Sequence, residues 1–93
     1  MLSRTPIKLE KVTKQNLDKE ILRLGMIAEL DAVSLYEQLA AMTEDVTIKK
    51  VLMDIAKEEK THIGEFETLL LERDPEQIKE LEKGKEEVEE IKS

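Results

Sequence analysis

Ninety-three residues, 40% of them charged, with a formal net charge of −7, make at most one small domain. One Tyr, one Phe and no Trp exclude an aromatic-rich core, and the acidic balance argues against nucleic-acid binding, which needs a basic face. The lack of Cys excludes disulfides, thiolate zinc sites and iron–sulfur clusters.

The opening stretch MLSRTPIKLEKVTK has no apolar segment of the kind a secretory signal carries, and no run in the chain is long and apolar enough to span a bilayer. The expectation is a soluble, cytoplasmic protein with no membrane partner and an N-terminal extension over residues 1–15. From about Asn16 to about Thr43, apolar residues recur at Leu22, Met26, Val33, Tyr36 and Ala40, the spacing of a helix. The polar break TED at 43–45 supplies an N-cap, Asp45 or Thr43, for a second helix from about Val46 to Arg73. That helix carries Leu52, Ile55, Ala56, Ile63, Phe66 and Leu70 on one stripe. A third begins at DPEQ, with Asp74 as N-cap, Pro75 at the first helical position and Gln77 placed to complete a capping box. Few apolar residues follow (Ile78, Leu81, Val88, Ile91), Gly84 is expected to interrupt the helix, and the tail KGKEEVEEIKS reads as a solvated charge run. The predicted fold is all-α: an antiparallel two-helix hairpin over residues 16–73, then a short C-terminal helix and charged tail over 74–93.

Charged residues interrupt the apolar stripes at one level. On the first helix the stripe runs Leu22, Met26, Glu29, Val33, Tyr36, Ala40, so Glu29 points inward. On the second, Glu59 stands between Ala56 and Ile63, with His62, the only histidine, beside it. Glu58 is also within a turn of His62, but it shares its row with Asp54 and Glu65 and is expected to face water. Helices joined by a short loop run antiparallel side by side. Glu29 lies about 15.5 residues before the centre of the turn and Glu59 about 14.5 after it, which puts them within roughly 1.5 Å in height.

A Glu-x-x-His spacing arises easily among 22 acidic residues, and a histidine at the edge of an apolar stripe is more often a packing residue than a ligand. The conjunction is what points to a metal. One buried unpaired carboxylate costs several kcal/mol, two at one level repel, and a cation relieves both. Carboxylate and imidazole without thiolate suit iron, manganese or zinc better than copper(I). Four-helix di-iron proteins use one Glu from each of two helices and a Glu-x-x-His from each of the other two. This chain holds half of that set. Two copies about a two-fold axis would supply two Glu29, two Glu59 and two His62, enough for two metal ions.

The stretch AELDAVSLYEQLAAMTED, followed by DIAKEEKTHIGEFETLLLERDPEQ, resembles the encapsulated ferritins, the short proteins housed in encapsulin nanocompartments. The similarity covers about residues 20–78. It implies a ferritin-like four-helix bundle made by a homodimer, a ferroxidase centre with two Fe ions per dimer, and assembly of dimers into a decameric ring inside an encapsulin shell. By the same resemblance Glu29, Glu59 and His62 are the iron ligands and Tyr36 lies close to the centre. Some members also carry acidic residues at an outer iron-uptake site; Asp31 keeps one such acid, Ala28 offers none, and Leu35 replaces an aromatic. The acidic tail suits a linker to a targeting peptide or to a fused shell domain. Two rivals stand beside the ferroxidase: a metal-free helical scaffold that uses its apolar stripes to dimerise, and a rubrerythrin-like peroxidase. Rubrerythrins normally add a four-cysteine iron domain and carry the full ligand set in one chain.

Overall fold

The caps set the helices. The protein is described here by a computed structural model over residues 13–93 (for Gln15, its backbone only), so the expected extension over 1–15 falls mostly outside the described residues. The chain forms α1 (Lys14–Met42), α2 (Val46–Leu71) and α3 (Pro75–Lys92), with no strand among the described residues. None of these helices is long and apolar enough to cross a membrane.

Between α1 and α2 the chain turns in three residues. Asp45 Oδ1 accepts from the Ile48 N–H at 2.9 Å, and the Asp45 N–H donates to Thr43 Oγ1 at 3.1 Å. Of the two candidate caps, Asp45 therefore caps α2 while Thr43 braces the turn. Such a cap is worth about 1 kcal/mol, because it satisfies a donor that the first helical turn leaves without a partner.

α1 and α2 lie against each other along their length. Their shared core is thin: among the described residues the buried apolar side chains are Leu22, Ala40, Ala56 and Leu70. Two of these are alanines, which lets the helix backbones approach closely. The expected stripes face inward, with Met26, Val33, Tyr36, Leu52, Ile55, Ile63 and Phe66 all half-buried. On the neighbouring stripe of α1, Ile21, Leu39 and Met42 remain exposed, as do Val46, Ile48, Val51, Met53 and Leu69 of α2. A hairpin that leaves this much apolar surface in water has an unfinished core.

One carboxylate fixes the start of α3. Asp74 Oδ1 accepts from the Gln77 N–H at 3.1 Å, and Asp74 Oδ2 accepts from Arg23 Nη2 of α1 at 3.0 Å. Arg23 Nη1 also reaches Glu20 Oε1 at 3.1 Å. The reciprocal half of the expected capping box, from the Asp74 N–H to the Gln77 side chain, is not made. Beyond this joint every residue from 78 to 93 is exposed. The expected interruption at Gly84 does not occur, and α3 runs through it to Lys92. A glycine in an exposed helix costs only about 1 kcal/mol relative to Ala, and the surrounding Glu and Lys residues are good helix formers.

Candidate metal centre

The antiparallel pairing of α1 and α2 brings Glu29 of α1 to Glu59 and His62 of α2. One ligand atom from each lies within 4.8 Å of the others. His62 Nδ1 is 3.6 Å from Glu29 Oε1 and 3.5 Å from Glu59 Oε2. The height match expected from the sequence is thus seen in the packed hairpin. Its cause is the short turn, which brings residues at similar distances from its centre to one level. Glu58, Asp54 and Glu65 are exposed, as expected for the outer row.

The electrostatics of the cluster are lopsided. The two carboxylates are about one-fifth exposed, and the imidazole is 44% exposed. Charge-assisted N–H···O bonds close to about 2.7–2.9 Å, so the longer His62 contacts do not tie the group together. Glu29 Oε2 is buried and has no hydrogen-bond partner. Leaving a buried acceptor unsatisfied costs about 1–3 kcal/mol, and more when it carries charge. A divalent cation among the three donors would satisfy Glu29 and relieve the carboxylate repulsion. First-row metals hold N and O donors at about 2.0–2.2 Å, which sets neighbouring donors about 3 Å apart. The observed spacing, 3.5–3.6 Å from His62 Nδ1 to each carboxylate and within 4.8 Å for all three, is wider than that, so the side chains would have to draw together around an ion. The donor set fits the metal that the sequence pattern implies.

Tyr36 is half-buried and lies seven residues after Glu29, two turns or about 10 Å nearer the hairpin turn. It shares the inward stripe of α1 without joining the three-donor cluster. Asp31, two residues beyond Glu29, is half-buried on another face and is likewise outside the cluster. Two features were missed in the sequence. Gly25 takes the Phe66 ring directly against the α1 backbone; a glycine inside a strongly periodic helix was the available signal. The Arg23–Asp74 pair joins residues 51 positions apart, and no local pattern announces it.

A family model described as Rubrerythrin matches residues 20–92. The crystal structure of the encapsulated ferritin domain from Pyrococcus furiosus superposes with a TM-score of 0.83 at 52% identity, covering 98% of this chain and 95% of that one. The chain belongs to the rubrerythrin family, as an encapsulated-ferritin-like domain. It is also 53% identical, over 98% of its length, to a ferritin-like–encapsulin shell fusion protein of Pyrococcus furiosus. Over 72% of its length it is 37% identical to the encapsulin nanocompartment cargo protein EncC of Myxococcus xanthus. The chain spans 27% of the first relative and 51% of the second. The encapsulated-ferritin-like domain thus has a fold compatible with di-iron oxidoreductase chemistry and a group of carboxylate and imidazole donors in the middle of its hairpin.

Proposed function

We propose that this domain is a ferroxidase, in which two copies form a four-helix bundle and oxidise Fe(II) to Fe(III) at a di-iron centre between them. Glu29 Oε2 carries the reading: a buried carboxylate oxygen with no partner, in a cluster with Glu59 and His62, asks for a cation. Dimerisation is supported by the ligand count and by the unfinished core. A single chain offers two Glu and one His, whereas two chains offer the four Glu and two His of a di-iron bundle. The partly exposed His62 leaves room for further donors from a second hairpin.

Fe(II) is the substrate, and each ion gives up one electron, so a pair delivers two to one dioxygen, which takes up two protons and leaves as hydrogen peroxide. The carboxylates of Glu29 and Glu59 neutralise the cation charge and favour Fe(III), and His62 Nδ1 adds a neutral donor. The flanking apolar residues limit solvent access, and Tyr36 stands on the same inward stripe, two turns from Glu29 toward the hairpin turn. Residues 16–73 are the catalytic hairpin, and residues 74–93 lead away from it. The exposed second stripe (Ile21, Leu39, Met42) is available for joining dimers into a ring. The kinship with a shell fusion and a shell cargo protein supports an encapsulin shell as the partner that receives the oxidised iron, and the nanocompartment as the place of work. Asp31 is the one acid retained for an outer uptake site. A second reading, peroxide as oxidant, is favoured by the rubrerythrin match, but the described residues hold half of a ligand set.

An Fe(II) titration under air, following oxidation and oxygen uptake, tests the proposal. Wild type should saturate at about one iron per chain, and His62→Ala should lose the activity. Unchanged oxidation in the variant would sink it, and rapid oxidation by peroxide but not by dioxygen would favour the second reading.

A further inference from the structure

Gly25 sits inside α1 one turn before Glu29, and Phe66 sits on α2 one turn after His62. The two meet at the level next to the candidate centre, on the side away from the hairpin turn. A Cβ on Gly25 would lie 3.0 Å from Phe66 Cε1 and Cζ and 3.2 Å from Cδ1. Carbon atoms at rest stand about 3.5–4.0 Å apart, so the ring already occupies the place of a side chain. Gly25 does not have a positive φ, and its backbone is one that any residue adopts. Since a helix-interior glycine weakens a helix relative to Ala, the close approach of the ring is the reason for it.

We propose that Gly25 and Phe66 are a positioning pair that sets the separation of α1 and α2 at the metal centre. This inference rests on the ferroxidase reading and deepens it. The ring of the chain's only Phe acts as the spacer, and the missing side chain of Gly25 lets it rest on the α1 backbone. One turn of helix, about 6 Å, separates the pair from Glu29 and from His62. A helix is rigid over that distance, so a displacement at Gly25 is carried to the ligands. Adding a methyl group requires the ring, or α2 with it, to give by a few tenths of an ångström, and α2 gives if the ring is the spacer. That moves Glu29 away from Glu59 and His62, and His62 Nδ1 already stands 3.6 Å from Glu29 Oε1 and 3.5 Å from Glu59 Oε2. Holding ligands in place is a large part of metal affinity, and small misplacements weaken it steeply. If the pair were only a packing contact, a change there would alter stability and leave the ligands alone.

The test uses the full chain and Co(II), which binds without being oxidised. Binding affinity is measured by calorimetry, ligand geometry by the Co(II) d–d absorption, and the metal-free fold by circular dichroism and thermal unfolding. Gly25→Ala should keep its helical spectrum, weaken Co(II) binding about 10-fold or more, and change the d–d bands. Gly25→Ala with Phe66→Leu, which trims the ring, should recover most of the affinity and the wild-type bands. Gly84→Ala, the same chemical change where a Cβ meets nothing within 4 Å, should bind as wild type does. Wild-type affinity and bands in Gly25→Ala, or a double variant no better than the single one, would overturn the positioning role alone. Should Gly25→Ala fail to fold, Phe66→Leu by itself decides: it should weaken binding and shift the bands, and unchanged binding overturns the inference. A wild-type protein that binds no Co(II) overturns the ferroxidase reading and this inference with it.

Discussion

The hairpin and α3 treat charge in opposite ways. From residue 78 onward α3 lies wholly in water, and its many Glu and Lys side chains are solvated. The hairpin draws Glu29, Glu59 and His62 into its apolar stripe and leaves one carboxylate oxygen without a partner. Density of charge therefore does not mark the candidate centre, because among the described residues the denser region brings no such group of metal donors together. Incomplete satisfaction marks it. A carboxylate held partly out of water without a partner carries a cost that a bound cation would remove.

Replacing Glu29 by Gln should give the largest effect and break this contrast most directly. The metal-free protein should gain about 1–2 kcal/mol, because a buried unpaired charge becomes neutral. Wild type should in turn gain about 2.7 kcal/mol per site from a metal ion supplied at 100 times its Kd, and the variant should gain almost none. The order of stability then reverses on adding metal. Thermal unfolding with and without Co(II) reads the crossing directly, at about 4–8 °C per kcal/mol for a domain of this size. Equal responses to metal in the two proteins would make the inward charges a structural feature only.

The helices and the level of the centre were legible for local reasons. Asp45, Asp74 and Pro75 are strong punctuation, and the step of three and four residues on α1 and α2 placed Glu29 and Glu59 on facing stripes. Counting outward from a three-residue turn then gave their common height. The unread features are those that depend on distance between elements. Periodicity places Gly25 on a helix but does not say that a ring from α2 will lie against it. It places Asp74 at a helix start but not beside Arg23 of α1. At Gly84 local propensity misled, since the exposed helix continues through a residue expected to break it.

Asp74→Ala should have the next largest effect, confined to the other region. It removes the α3 cap and the Arg23 partner together, a loss of about 1–2 kcal/mol from a cap and a partly exposed ion pair. Amide hydrogen exchange should speed up through the first turns of α3, whereas Fe(II) oxidation and exchange around Glu29 stay as in wild type. A matching loss of oxidation would show that α3 and the centre are coupled, and would sharpen the contrast into a mechanical link.

Gly84→Ala should have the smallest effect, and it sets the sign of the comparison. No atom lies within 4 Å of a Cβ at Gly84, whereas at Gly25 the same methyl group meets the Phe66 ring at 3.0 Å. Intrinsic propensity favours Ala over Gly by about 0.8–1.0 kcal/mol in a helix interior, and at Gly84 nothing opposes it. Helical signal and resistance of α3 to hydrogen exchange should both rise, with metal binding unchanged. A loss of stability there would mean that another chain packs closely against α3 at this glycine, as Phe66 packs against Gly25. α3 would then be an interface helix, and its solvation a property of the isolated chain only.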